Sequence, residues 1–525
     1  MHIPSSAYTH AAASATGSDA ATDTPATEQP TASLAHLLEP RTSTKTGYKP
    51  KATAVLLVTC DLIGLLLSGF LTHLVQFLLY QDTGFSFGSI WQADNATARL
   101  VIFASLVGVG IAWFALAGHY TKRRPFWDEI AETWKIIAIL AVADGLLLYL
   151  TKNQFSRFWF LGVWATALLA IPALRILIKD VLIANRLWQR PAVIVGAGDN
   201  GAQTFRALRS EPMMGLEPLA FIRLPAGDAI HHKTVDATSS PIYQLRDLLD
   251  LPPAIAKRLT VFVALDSYKS QIPTRAVQAL NQSIPDVRIV PAVTGFPLYG
   301  ARVYHVFRQE LFFLALRNNL AQTGPKLLKR SFDVVCATLL LIVLAPFFLA
   351  LIALIKADGG PAFFAHSRIG KDQRRFNCYK FRTMVPNAQQ VLEHLLETDA
   401  EARREWEQDF KLKNDPRVTK VGKILRETSL DELPQLWNVL RGDMSLVGPR
   451  PIVLDELDRY GDEAAYYLEV RPGITGVWQV SGRNDTDYAY RVSLDSWYAR
   501  NWSLWYDIVI LVKTVRVVLN RSGAY

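Results

Sequence analysis

The sequence predicts a membrane α protein joined to α/β: four transmembrane helices, a Rossmann-like α/β domain, and a mainly helical third domain with a re-entrant membrane helix. Three observations carry this. Four apolar runs follow one another at 54–80, 100–118, 134–150 and 158–178. Short apolar strands then alternate with helical patterns from residue 190. A fifth apolar run, 332–355, has cations on both flanks and Pro346 inside it. Composition agrees, since 50% of the 525 residues are hydrophobic.

Residues 1–48 are rich in Ala, Ser and Thr and poor in large apolar side chains. Such a tail cannot bury enough surface to offset the entropy of ordering, so disorder is expected. It has no apolar core of the kind a signal peptide carries.

The four runs define a transmembrane domain over 49–185, each near the ~20 residues a membrane helix needs. Arg41, Lys45, Lys49 and Lys51 precede the first run. Lys122, Arg123 and Arg124 lie between the second and third, and Lys179, Arg186 and Arg190 follow the fourth. The other two loops are poor in Lys and Arg. Positive charge marks the cytoplasmic side, so both ends of the bundle should face it. Cys60, Cys336 and Cys378 are scattered, without CxxC spacing, and read as packed small hydrophobes.

Residues 190–300 read as the Rossmann-like domain. A strand at 192–195 leads into Gly196-Ala-Gly198-Asp-Asn-Gly201, and a helix candidate runs on to 208. Further strands are expected at 219–222, 260–264 and 287–291. A GxGxxG between strand and helix suits a dinucleotide pyrophosphate. The acid that would hold the ribose is missing; Arg223 stands there. A tight turn without cofactor is therefore favoured over a nucleotide loop at Gly196, Gly198 and Gly201.

A linker, 301–325, leads to the last domain, 326–525. Its helix, 332–356, has Lys326, Lys329 and Arg330 before it, and Lys356, Arg368, Lys371, Arg374 and Arg375 after it. If both flanks stay cytoplasmic, the helix must return to the face it entered. Pro346 removes a backbone hydrogen bond where the break is needed.

Asp431 and Glu432 lie side by side after Thr428 and Ser429, either of which could cap a helix bearing the acids in its first turn. Arg426 precedes them. Gly448-Pro449-Arg450-Pro451, Arg471-Pro472-Gly473 and Gly482-Arg483 follow, and Tyr379-Lys380-Phe381-Arg382-Thr383 adds cations upstream. Arginines bind phosphate bidentately, and glycines let backbone approach a ligand. Lys380, Arg382, Arg426, Arg450, Arg471 and Arg483 are the candidate phosphate or substrate contacts. Acids among arginines in such a frame suit metal-assisted phosphoryl transfer. A nucleic-acid partner is disfavoured, because the cations adjoin a membrane segment.

These motifs, with Asp415-Pro416-Arg417 and Lys329-Arg330 before Phe332-Asp333, make residues 326–525 closely resemble the catalytic domain of bacterial polyprenyl-phosphate hexose-1-phosphate transferases. The whole chain looks like the large monotopic phosphoglycosyl transferases, nearest to those that use galactose. The resemblance implies Asp431 as nucleophile, Glu432 as its partner, and Mg2+ held by the two. Lys380, Arg426 and Arg450 would contact phosphate. The implied partners are a UDP-hexose, undecaprenyl phosphate and membrane lipid, with homodimerisation a further expectation. The implied place is the bacterial inner membrane, catalytic domain on the cytoplasmic face. The implied product is undecaprenyl-diphospho-hexose, the first membrane step of O-antigen, capsule or exopolysaccharide synthesis. Transfer of glucose-1-phosphate, or a non-enzymatic role in polysaccharide assembly, are the alternatives. Many members have Ser before the helix-breaking Pro; here Ala345 precedes Pro346.

Overall fold

The computed structural model describes residues 33–42, 48–79, 96–151, 157–224, 240–266, 274–293, 295–305, 312–316, 318–357, 359–409, 412, 415–481 and 488–519. The chain divides into two units, Met1–Ala292 and Val293–Tyr525.

The first unit begins with a departure from expectation. Leu34–Thr42 forms helix α1 inside the presumed tail. Leu34 and Leu38 are fully buried in the core of the α/β domain. The reason is local: Leu34, Leu37 and Leu38 fall on one helical face, a stripe that the polar average of the tail conceals.

Helices α2 (Pro50–Leu79), α3 (Ala96–Ala117), α4 (Phe126–Leu150) and α5 (Arg157–Ala184) correspond to the four apolar runs. Among the described residues, four helices are long and apolar enough to cross a membrane: α2, α4, α5 and Thr323–Lys356 of the second unit. Helix α3 contributes a shorter apolar stretch, Val101–Ala117.

The helices are tied by buried charge. Arg175 on α5 reaches Asp61 on α2 through two donors, Nε to Oδ1 at 2.8 Å and Nη2 to Oδ2 at 2.7 Å. Its Nη1 donates to Glu129 Oε1 and Thr133 Oγ1 on α4. Lys179 closes the set 2.6 Å from Glu129 Oε2, and Tyr120 donates to Asp61. Each charge has an opposite partner, which is what allows such groups in a low-dielectric interior.

The α/β domain follows. Strands β1 (Arg190–Val195), β2 (Leu216–Arg223), β3 (Ile242–Gln244), β4 (Thr260–Ala264) and β5 (Val287–Val290) form one sheet in the order β3-β2-β1-β4-β5. All neighbours are parallel. Val193, Val195, Val261 and Val263 pack on one face; Ala192, Ile194, Phe262 and Ala264 pack on the other. Burial on both faces explains why these strands read as unbroken apolar runs. The chain passes from β1 to helix α6 (Asp199–Ser210) through the glycine turn.

In the second unit, helix α7 (Thr323–Lys356) is continuous across Pro346. The helix therefore does not end at the proline, which is compatible with a bend there. The same domain holds both of its ends. Lys329 Nζ donates to Val447 O and Asp507 Oδ2 near one end. Arg382 Nη2 donates to Ile355 O at the other. Between them Leu339, Ile342, Val343 and Leu349 are exposed.

The domain is helical, as expected, around an antiparallel hairpin that the pattern did not reveal, β6 (Phe363–Ile369) with β7 (Arg375–Phe381). Helix α8 (Lys420–Glu427) precedes the acids, and α9 (Gln435–Arg441) follows them. Short strands β8 (Ser445–Val447) and β9 (Gly473–Thr475) pair in parallel. Helices α10 (Tyr488–Asn501) and α11 (Leu504–Leu519) complete it.

Candidate active site

Asp431 and Glu432 occupy a single 3-10 turn, Leu430–Glu432, just before α9. They are not in the first turn of an α-helix, and Ser429 makes no side-chain cap. Ser429 instead adopts φ +56°, in the left-handed region. A non-glycine residue there is strained. Ser429 thus links α8 to the turn in a left-handed conformation, and Asp431 in that turn is buried.

The carboxylates converge on one cation. Lys380 Nζ lies 3.3 Å from Asp431 Oδ2 and 2.7 Å from Glu432 Oε1. Lys380 comes from β7, which Asn438 of α9 fastens to the acid turn. Asn438 Nδ2 donates to Asn377 O at 2.7 Å, and Tyr379 N donates to Asn438 Oδ1. Asp431 is buried. Burial raises its pKa above the ordinary carboxylate value and Glu432 adds to this, while Lys380 and Arg426 oppose it. Burial disfavours the Lys380 ammonium, yet Glu432 and Asp431 hold its pKa above the usual lysine value. Arg426 is set by a bond from its Nε to Thr383 Oγ1 at 2.9 Å.

Arg450 stands over Trp478, 5.7 Å from the ring centroid. Arg491 stacks on the same ring at 4.6 Å. Behind them Asp495, fully buried, accepts from Tyr460 Oη at 2.9 Å. Burial pushes the Asp495 carboxyl up to about 7, against the pull of Tyr460, Arg491 and Arg450. No spacing in the sequence links Trp478, Arg491, Asp495 and Tyr460 to Arg450; only folding assembles them.

Other candidates take different roles. Arg382 donates to Pro361 O and Ile355 O, so it fastens the end of α7. Arg471 Nε donates to Gly442 O, beyond the C-terminal end of α9, while the acids precede its N-terminal end. Those contacts place Arg471 away from the dyad. Arg483 lies outside the described residues. The motif glycines serve backbone packing: a Cβ on Gly473 would meet Gly448 N at 2.1 Å, and one on Gly448 would meet Arg471 O at 2.4 Å. Their absent side chains let β8 and β9 pair.

Mg2+ is suited to one or two carboxylates with substrate phosphates and water completing its shell. Two carboxylates that already share one cation fit that pattern. Among the described residues no group of three His, Cys, Asp or Glu gathers, so phosphate oxygens would have to supply the rest.

The glycine turn of the α/β domain fits a ligand poorly. Asn200 N donates to Asp266 Oδ1 at 2.5 Å, and a Cβ on Gly198 would fall 1.3 Å from Asp266 Oδ2. The protein's own carboxylate takes the helix N-terminus that a pyrophosphate would need.

Two family models match. Residues 324–521 match a bacterial sugar transferase model, and 116–291 match a CoA-binding domain. The chain is 43% identical over 482 residues to the undecaprenyl-phosphate galactose phosphotransferase of Salmonella typhimurium strain LT2, covering 91% of this chain and 98% of that one. The chain belongs to the bacterial sugar transferase family. A UDP-galactose-lipid carrier transferase of Erwinia amylovora is 42% identical over 425 residues, 81% of this chain and 88% of its own. The exopolysaccharide production protein ExoY of Rhizobium meliloti is 49% identical over 215 residues, 41% of this chain and 95% of its own. As a member of this family, the chain is read as an enzyme of sugar-phosphate transfer. The carboxylate of Asp266 fits no pyrophosphate of a CoA-like ligand, so no step is assigned to one.

Proposed function

We propose that this protein transfers galactose-1-phosphate from UDP-galactose to undecaprenyl phosphate, giving undecaprenyl-diphospho-galactose and UMP. The observation that carries the reading is the Asp431–Glu432 pair held on Lys380. The donor and acceptor are taken from the names of the long relatives, whose likeness spans 91% and 81% of the chain.

A two-step displacement suits this site. An Asp431 carboxylate oxygen attacks the phosphorus that bears the hexose. The bond from that phosphorus to the bridging oxygen breaks, and UMP leaves with the electron pair. The resulting aspartyl-phosphohexose is a known use of carboxylates. An oxygen of undecaprenyl phosphate then attacks the same phosphorus, and Asp431 leaves as carboxylate. One diphosphate is consumed and one is formed, so no further energy source enters.

Lys380 opposes the desolvation of Asp431 and so favours the carboxylate form that attacks. Glu432 holds that ammonium in place. Arg426 and Arg450 offset charge on the phosphates, a term that grows in a site excluding water. Asp431 and Glu432 would hold Mg2+, which neutralises diphosphate charge when bound.

The site is assigned to the cytoplasmic face of the bacterial inner membrane. Support comes from the cations that flank α7 on both sides and from the one domain that holds both its ends. In that topology α7 bends near Pro346 and returns, with the dyad at the surface where a lipid phosphate arrives.

Purified protein supplied with Mg2+, undecaprenyl phosphate and a panel of UDP-sugars tests the reading. UMP release with UDP-galactose above the other sugars is expected. Release with UDP-glucose instead would keep the reaction class and change the sugar. No release with any sugar would end the proposal.

A further inference from the structure

A second basic site lies at the root of α7, away from the dyad. A cavity of about 330 Å³ is lined by Lys326 and Arg330 of α7, Lys371 of the β6–β7 turn, Arg471, and Glu469. Leu320 and Leu327 form an apolar wall. A volume of this size suits a small ligand or a headgroup.

The charge is not balanced. Lys329, also at the wall, is neutralised by Asp507 at 2.7 Å. Among the described residues, no carboxylate lies within ion-pair distance of Lys326, Arg330, Lys371 or Arg471. Asp333, Asp372 and Asp443 act on Arg471 only from farther off. Glu469 is the one acid in the lining.

The arginines are held ready. Arg330 Nη1 and Nη2 donate to Val439 O and Leu440 O, and Arg471 Nε donates to Gly442 O, all at the C-terminal end of α9. These bonds fix both guanidiniums and leave Arg330 Nε and the Arg471 Nη donors uncommitted. Like charges fixed close together without a counter-ion favour capture of an anion. Burial, with Arg330 nearby, already disfavours the charged form of Arg471.

The cavity is separate from the reacting groups. Lys371 precedes β7 and Lys380 lies near its far end, roughly 20 Å away at about 3.3 Å per strand residue. The apolar stretch of α7 begins near Phe332, just past Lys326, and Leu327 is 66% exposed. The cavity thus sits where a membrane helix emerges.

We propose that this cavity is a phosphate-binding site additional to the active site, whose ligand is the phosphate of an anionic phospholipid or of a soluble phosphate ester.

The test uses the full chain in neutral detergent, with thermal melting as readout. The probes are inorganic phosphate, short-chain phosphatidic acid and short-chain phosphatidylcholine. A melting shift with phosphate or phosphatidic acid, weakened about tenfold or more in K326Q/K371Q and retained in K380M, is expected from the loss of two charge-assisted contacts. A larger shift with phosphatidic acid than with phosphate identifies a lipid source; equal shifts identify a soluble one. A response that K326Q/K371Q leaves intact, that K380M abolishes, or that phosphatidylcholine matches, overturns the assignment. UMP release by K326Q/K371Q, followed in parallel, separates failure of this site from failure of the transferase reading.

Discussion

Lys380 Nζ lies 2.7 Å from Glu432 Oε1 while keeping Asp431 Oδ2 at 3.3 Å, so one ammonium serves two adjacent carboxylates. Side chains of neighbouring residues ordinarily diverge. The 3-10 turn that carries them turns both toward β7, and this gives the pair its use.

The arrangement sets a pH dependence. Burial raises the Asp431 pKa and Lys380 opposes that rise. The attacking form is the carboxylate, so UMP release should fall as pH drops through a value above that of an ordinary aspartate. K380M removes the opposing charge and should move this acid limb to higher pH. It should also lower kcat/KM by roughly 10²–10³, the scale of losing one preorganised charge in a site. A limb that stays in place in K380M would show that Lys380 does not govern Asp431.

Asp495 gives a stability prediction. Its carboxyl is pushed from 3.8 up to about 7 by burial. The folded form binds the proton more tightly than the unfolded chain, so the stability that this group contributes is fully present below about pH 4 and is lost as pH rises from about 4 through 7. D495N keeps an acceptor for Tyr460 without the charge. The melting temperature should fall between pH 5 and pH 8 in the native protein and fall less in D495N. Parallel curves would contradict this.

The charge cluster of the first unit yields a third. R175L leaves Asp61 buried without its cation and should destabilise the bundle by about 3–5 kcal/mol. D61L/R175L should recover part of that loss, because Glu129 retains Lys179. Melting in lipid nanodiscs reads the difference. A double variant no more stable than R175L would mean that the pair does not act as a unit.

The β8–β9 contact predicts a folding defect. In G473A the new Cβ falls 2.1 Å from Gly448 N, a backbone atom that cannot swing aside. Expression and thermal melting should collapse, whereas substitution of exposed Gly324, which has open space, should be tolerated. Normal melting of G473A would refute the packing role.

Much of this was legible in the chain. Strands such as Thr260–Ala264 announced themselves because both faces are buried, and the long membrane helices because apolar length is hard to disguise. The two acids stood out because they are adjacent in the sequence, whereas Lys380, 51 residues before Asp431, meets them only through folding. Helix α1 was hidden because three leucines are too few to change the average of a polar tail. The β6–β7 hairpin was hidden because its residues lack a clean two-residue alternation. Arg382 and Arg471 read as substrate contacts because a sequence names a cation without naming the carbonyl it meets. The Arg450, Trp478, Arg491 and Asp495 group joins residues that only the tertiary fold brings together.

The central claim is that Asp431 is the nucleophile of hexose-1-phosphate transfer. The most direct measurement is the intact mass of the purified chain after incubation with Mg2+ and UDP-galactose, without undecaprenyl phosphate, beside D431N. The account predicts a phosphohexose adduct that maps to Asp431, disappears when undecaprenyl phosphate is added, and never forms in D431N. An unmodified chain that still releases UMP, or a D431N variant that turns over normally, would contradict it.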